Sequence, residues 1–580
     1  MPPESFTLER YAENSINYFE QMVDEDDLPY FNVFWTSPAQ AAHDWPDFGD
    51  VMSRQLHGAI FLKAMTGREV SNLKAWHEKI LKQIDPSDGF LHRPETSFSQ
   101  PVADWGDAAL SLYALVTLAI EVNEHSIQQV VARMAEGMLR RLRSGDLPND
   151  CFAVKGLMVA ARRLKCDAAF EAARLLVEKL ILKGHLFSPD NTFGPWGHMH
   201  SNLRSMTGAA DFALAEGDSI LFDRMDALYR FVKSTGTRFG FIPEAIGRKG
   251  DIISCETCAL MDFAGIGVTL ANHGHQEYWG DMERLVRNHY VESQVQDVSW
   301  LEVDNSRSDT AQFTWRKINQ RILGAWAGWS SPNHLLAACE TLNHHWGGPE
   351  LRDKTRLLQN CCGGSGVHGL FTLWKNAVQF ENDTLSVNIH LDKMLTQAEI
   401  RCDQPYLGNL EISLHSDCEV RVRIPEFTTA NEMGIQVNDH GIQHAQTPIN
   451  NHPVANQDDN HHLPVTVRGN YLELGRFREG ENIKITYPLP IQIENISVGN
   501  PGFRQWHYQV TWKGDTVVRM EPIDNEAQFA FSDFDKKDVP VFYGLTGPGL
   551  LYQREGLLQN HQPRRISVYP DDGRLNFWKM

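Results

Sequence analysis

Six stretches of the chain are apolar on nearly every side and rich in small residues: SRQLHGAIFLKAM, DAALSLYALVTLAI, VKGLMVAARRL, LRSMTGAADFALA, TCALMDFAGIGVTLA and VHGLFTLWKNAV. A helix without a polar face must be surrounded by protein. The six begin near residues 54, 107, 154, 203, 257 and 367, so the first four steps are roughly 50 residues long and the last carries an insertion. Each of the first five is followed by a segment with one apolar stripe. Leu73, Trp76, Ile80 and Ile84 form one such stripe, and Ile127, Val131, Met134 and Met138 another. With an opening amphipathic helix near 5–24, six buried helices ringed by outer ones describe an (α/α)6 barrel.

After about residue 380 the pattern changes to short alternating runs between Gly, Asn and Pro: TLSVNIHL, CEVRVRIPEF, YLELGRF, NIKITYPLPIQI, YQVTWKGDTVVRM and VPVFYGL. The expected organisation is a barrel over 1–380 and a β-sandwich region over 381–580, divisible at about 490 (381–490 and 491–580). The polar run NNHPVANQDDNHHLP (450–464) reads as a surface loop, although its histidines are potential metal ligands.

A net charge of −20 spread along 580 residues argues against nucleic-acid or anionic-membrane partners. The N-terminal MPPESFTLERYAEN has no basic and apolar leader pattern, no apolar run reaches the length of a membrane span, and nine irregularly spaced cysteines do not form a disulfide framework. A cytoplasmic location is therefore expected. Association into a homodimer is left open by the sequence.

In such a barrel the loops leading into the inner helices lie at one end, and reactive residue types gather in those loops. They are HDWPDFGD (43–50), DWGD (104–107), PWGHMHSNLR (195–204), IPEAIGRKGDIISCETC (242–258) and NCCGGSG (360–366). Asp44, Trp45, Asp107, Trp196, His198 and His200 are candidate sugar-binding residues, because carboxylates, imidazoles and aromatic walls at a concave mouth suit a carbohydrate. Adjacent thiols rarely bond each other. Cys361 and Cys362 therefore suggest a metal, a nucleophile, both, or two packed side chains. With Glu256 and Cys258 they offer one carboxylate oxygen and three sulfurs, a set that suits tetrahedral zinc.

The chain resembles the cysteine-dependent β-L-arabinofuranosidases, glycoside hydrolase family 127, as a divergent member. The resemblance rests on Glu256-Thr-Cys258 in SCETCALMD, the pair Cys361-Cys362, the passage LWKNAVQFENDTLSVNIHL, and the strands VRVRIPEF and GNYLELGRFREGENIKITYPLP. It implies that Glu256, Cys258, Cys361 and Cys362 bind zinc and that Cys361 attacks the anomeric carbon of a terminal furanoside. It also implies that Glu244 in IPEAIG is the acid/base of a retaining hydrolase, and that His198 or His200 contacts the sugar. The chain departs from the family in having Gly363 and Gly364 where prolines commonly follow the cysteine pair. Cys151 or its neighbourhood stands in the place of a sugar-contacting histidine. Two other readings stand beside this one. One is a lyase of acidic glycans using Arg204 and Arg248. The other is a non-catalytic, zinc-stabilised carbohydrate-binding protein, which an exposed Glu244 far from the thiols would favour.

Overall fold

The computed structural model describes residues 4–34, 38–194, 197–246, 255–299, 301–328, 330, 357–438, 440–442, 465–500, 504–523, 558, 560, 562–566 and 568–571. Trp196, Arg248, the 450–464 run and the strand expected at VPVFYGL (539–545) lie outside them. The helical part comprises α1 (Glu9–Gln21), α2 (Asp50–Thr66), α3 (Leu73–Gln83), α4 (Trp105–Val122), α5 (His125–Ser144), α6 (Phe152–Arg163) and α7 (Asp167–Leu176). It continues with α8 (Met199–Glu216), α9 (Ser219–Thr235), α10 (Thr257–Asn272), α11 (Tyr278–Leu285), a single turn α12 (Ile318–Arg321) and α13 (Cys361–Ala377).

The stretches without a polar face are α2, α4, α6, α8, α10 and α13. They pack in cyclic order, each against the next, and α13 closes on α2. Around them α1, α3, α5, α7, α9 and α11 each lie against the inner helix of their own pair. The stripes read from the sequence face inward. Ile127, Val131, Met134 and Met138 of α5 are buried, as are Trp76 and Ile80 of α3. Among the described helices only α4 is long and apolar enough to cross a membrane, and its residues are mostly buried among its neighbours.

Helix gives way to strand where α13 ends at Ala377 and strand Val378–Glu381 begins. Two sheets follow. One has five strands in the order 466–468, 471–477, 418–423, 384–387, 378–381. The other has seven, in the order 440–442, 434–437, 482–486, 409–414, 398–402, 393–395, 570–571. Alternate residues of both, including Leu385, Ile400, Ile412, Val420, Leu474 and Ile483, fill one shared core, as in a sandwich. A third sheet, Ile491–Asn500, Arg504–Lys513 and Thr516–Pro522, buries Val498, Val510, Trp512, Val517 and Met520 in the core of the helical part instead. Asn288 fastens it there, donating to the Asp515 carbonyl at 2.9 Å and accepting from the Val517 amide at 2.8 Å.

A fourth sheet, absent from the sequence reading, crosses the mouth of the helical part. It is ordered 313–314, 40–42, 32–34, 357–359, and its last strand delivers the chain to Cys361. The two glycines after the cysteine pair have a packing reason. A Cβ on Gly364 would lie 2.3 Å from the backbone carbonyl carbon and oxygen of Arg54, so only glycine lets α13 approach α2 this closely. Gly364→Ala is expected to destabilise the fold by about 1–3 kcal/mol, the usual cost of overpacking. Gly106→Ala, whose Cβ would meet nothing nearer than 3.5 Å, should be near neutral. Equilibrium denaturation of the two variants checks this.

Candidate active site

Two helix N-termini converge on the thiols. Glu256 immediately precedes α10, which has Cys258 in its first turn, and Cys361 and Cys362 open α13. Backbone pairing of Cys255 with Ser330, with N···O distances of 2.6 and 2.8 Å, fixes the approach to α10. The Thr257 hydroxyl adds a bond to the Ala327 carbonyl at 2.7 Å. On the α13 side, Asn360 is held by the Phe31 and Tyr30 carbonyls, accepting its backbone and side-chain N–H at 2.7 and 2.8 Å.

The four predicted zinc ligands come together. One donor atom from each of Glu256, Cys258, Cys361 and Cys362 lies within 4.8 Å of all the others, and all four residues are buried. Cys258 Sγ and Cys362 Sγ are 3.4 Å apart, and Cys361 Sγ is 3.8 Å from Glu256 Oε1. Tetrahedral zinc with bonds of about 2.0–2.3 Å sets its donors roughly 3.5–3.8 Å apart, so the arrangement fits that ion. The electrostatics fit as well. Burial pushes the Cys258 and Cys362 thiols well above their ordinary value, so they need a cation to hold them as thiolates. Burial also works against the Glu256 carboxylate, but His198, His200 and Arg54 overcome it and bring its pKa down to about 2. The thiols are not equivalent. Cys258 and Cys362 are fully enclosed, whereas Cys361 keeps 7% of its surface exposed.

Glu244 approaches the same cluster from earlier in the segment that leads to Glu256 and α10. Its carbonyl accepts from the Met199 amide at 2.7 Å, and Ala245 pairs with His198. Glu244, His198 and Glu256 form a second group of three donors within 4.8 Å of one another. His198 Nε2 meets the second carboxylate oxygen of Glu256 at 3.0 Å, and its Nδ1 meets the Ser201 hydroxyl at 2.9 Å. His198 thus orients the carboxylate that joins the two groups.

His200 turns inward, to Asp262 at 2.8 Å and to a guanidinium nitrogen of Arg54 at 3.2 Å. Arg54 is itself an ion-pair partner of Asp50, donates to Ser365 Oγ at 2.8 Å and faces Cys258 Sγ at 3.8 Å. Asp44, Trp45 and Asp107 belong to a separate carboxylate-rich wall. Asp44 accepts from the Trp45 amide at 2.8 Å and from the Asn32 side chain at 3.3 Å. Asp107, 2% exposed, accepts from Arg93 Nε at 2.7 Å, and the Arg93 guanidinium lies 4.3 Å from the centre of the Trp45 ring. Burial, with Asp104 adding, raises the Asp107 carboxyl to about 8.

Other polar residues at the mouth escaped the sequence reading. Asn32 stands opposite Gln359 across the small sheet, and Gln40 lies on the same face of the next strand. All three are buried, and Asn32 Oδ1, Gln40 Nε2 and Gln359 Nε2 have no hydrogen-bond partner among the described residues. Strands of three residues carry no periodic signal, so only the polarity of these amides beside apolar neighbours hints at them.

No protein-family model matches the sequence, and no curated protein matches it by sequence. By structure the chain is similar to the family 127 β-L-arabinofuranosidase of Geobacillus stearothermophilus T6, with 13% identity and a TM-score of 0.56, over 88% of this chain and 80% of that one. It is also similar to a second family 127 β-arabinofuranosidase, with 15% identity and a TM-score of 0.53, over 87% and 78% of the two chains. A third match is described as a glycoside hydrolase, with 13% identity and a TM-score of 0.55, over 89% and 81%.

Two measurements bear on the site. Protein purified without added metal is expected to carry one zinc per chain by elemental analysis, and Cys258→Ser to lose most of it. At the mouth, His43 stacks on Tyr30 and Phe98 between Asp24 and Asp47. Burial opposes its charge, but the two carboxylates win and raise it to about 9. Its stabilisation is therefore lost as pH rises through 9, and on the acid side it is limited by burial of its partner Asp47, whose carboxyl is raised to about 7. Thermal denaturation should show that loss, and His43→Gln should flatten it. From the similarity of these structures, the chain has the fold of the family 127 β-L-arabinofuranosidases.

Proposed function

We propose that this protein is a retaining glycoside hydrolase, β-L-arabinofuranosidase-like, acting on a terminal furanoside of a glycan. We read its helical part, six inner helices in cyclic order with their outer partners, as an (α/α)6 barrel joined near residue 380 to the β-sandwich region. The observation that carries the proposal is the placement of two different reactive groups around one carboxylate. Cys361, the least enclosed of the clustered cysteines, and Glu244 each offer a donor atom within 4.8 Å of one from Glu256, and the two arrive on separate loops.

Retaining hydrolysis needs a nucleophile beneath the anomeric carbon and a proton donor beside the leaving oxygen. Glu244 would protonate the glycosidic oxygen as the Cys361 sulfur takes the anomeric carbon, so a C–S bond forms while the C–O bond breaks. The Glu244 carboxylate would then remove a proton from water, which attacks the same carbon and releases the thiolate, with net retention. Zinc held by Glu256, Cys258, Cys361 and Cys362 would keep the thiols deprotonated at neutral pH and temper their basicity. The two helix N-termini favour the same anions. His198, bound to Glu256, would hold that carboxylate in place between nucleophile and acid.

The alternatives fit less well. Arg204, which a lyase would need facing an acidic sugar at the mouth, is 5% exposed and turned to Asp262 and the Tyr113 ring. A non-catalytic binding protein would leave Glu244 exposed and remote, whereas it is 6% exposed and beside Glu256.

A panel of nitrophenyl furanosides and pyranosides, with the product anomer followed by NMR, tests the reading; an inverted product or no turnover of any furanoside would remove it. Glu244→Gln should slow natural glycosides by about 10²- to 10⁴-fold. With an activated aryl furanoside the first step should be spared, giving a burst of phenol, and azide should restore turnover. Equal losses on both substrates without burst or rescue would make Glu244 structural.

A further inference from the structure

The starts of α6 and α8 are laced together by residues that the proposed reaction has not used. The Cys151 amide donates to Ser205 Oγ at 3.0 Å, and Ser205 Oγ donates to the Ser201 carbonyl at 2.8 Å. Asp150, just before Cys151, turns toward its own helix and accepts from the Phe152 amide at 3.1 Å. Phe152 sets its ring edge-on to His200, with centres 4.8 Å apart.

This anchoring brings the Asp150 carboxylate to the Ser201 hydroxyl, which donates to it. Ser201 is 4% exposed and stands three residues after His198, whose Nδ1 meets its oxygen at 2.9 Å. The other ring nitrogen, Nε2, meets Glu256 Oε2 at 3.0 Å. Asp150, Ser201, His198 and Glu256 therefore stand in one hydrogen-bonded line.

The direction of that line follows from its protons. Burial raises the Asp150 carboxyl to about 6, although the Phe152 amide, His198 and the Ser201 hydroxyl favour its charged form, so it is ionised at neutral pH. An ionised carboxylate only accepts. Ser201 therefore gives its one proton to Asp150, and its oxygen is left to accept from His198 Nδ1–H. A hydroxyl without that anchor would rotate, and the imidazole above it would no longer be held to one orientation. The far end of the line matters most. Glu256 Oε1, the oxygen that His198 does not hold, lies 3.8 Å from Cys361 Sγ.

We propose that Asp150 is a positioning residue for the Cys361 cluster, locking the His198 ring through Ser201 and, through that ring, the Glu256 carboxylate. This role deepens the reading of Glu256 as the carboxylate that joins nucleophile and acid/base, and rests on it. The orientation of His198 is measurable without turnover and without metal.

Asp150→Asn and Ser201→Ala cut the line at different links, and Ser201→Thr keeps the hydroxyl. In the first two variants kcat on an aryl furanoside should fall about 10-fold with KM little changed, the lower end of what losing an outer partner of a metal ligand costs. Zinc should pass to a competing chelator about 10-fold more readily. Ser201→Thr should restore both. Crystal structures of Asp150→Asn and Ser201→Ala should show the His198 ring turned away from Glu256. If the wild-type protein hydrolyses no furanoside, the glycosidase reading fails, whereas the ring position still decides the role of Asp150. An unmoved ring in both variants would overturn the proposal. So would a raised KM with kcat retained, since Asp150 would then hold the sugar itself. Should Asp150→Asn not fold, Ser201→Ala against Ser201→Thr carries the same test.

Discussion

The close approach of α13 to α2 is the contact on which the site depends. With Gly364 against the Arg54 backbone, the first turn of α13 sits beside the first turn of α10, and two thiols from one helix meet a thiol and a carboxylate from the other. The same contact places the Arg54 guanidinium under Cys258 and beside Ser365. A bulkier residue at 364 would force the helices apart, and the donor distances of 3.4 and 3.8 Å would open with them. Glycine here permits approach, where proline would preset the helix start.

Burial is what makes this cluster chemically demanding. Three sulfurs and a carboxylate removed from water cannot carry their charges without compensation, and the protein supplies it in layers. Helix N-termini and Arg54 act from below, and His198 from the Glu256 side. A cation of the zinc type would complete the set. Within the cluster Cys361 is the least enclosed of the three cysteines, at 7% exposure against none for Cys258 and Cys362. Beyond the mouth, the third sheet and the 393–395 strand with its partner 570–571 tie the helical part to the strands that follow.

Much of this was legible in the sequence. The inner helices announced themselves because segments such as DAALSLYALVTLAI have no polar face to give to water. The Glu256, Cys258 and Cys361-Cys362 grouping was visible because one carboxylate and three thiols fall at the entries to adjacent inner helices. Other features depend on contacts between distant residues that no local pattern records. Asp107 looked like a mouth carboxylate, yet its position at the start of α4 turns it to Arg93. His200 and His198, two residues apart at the start of α8, look alike in sequence, but one faces Asp262 while the other faces Glu256. The small sheet carrying Asn32, Gln40 and Gln359 was invisible because each of its strands is too short to show alternation.

The central claim, that a sulfur rather than a carboxylate forms the covalent intermediate, is tested most directly by trapping that intermediate. Glu244→Gln protein mixed with an activated aryl arabinofuranoside, quenched in acid and mapped by peptide mass spectrometry, should carry one pentosyl unit on the peptide containing Cys361. A pentosyl group on Glu256, Asp44 or any other carboxylate, or retention of configuration with no covalent adduct at all, would contradict the account.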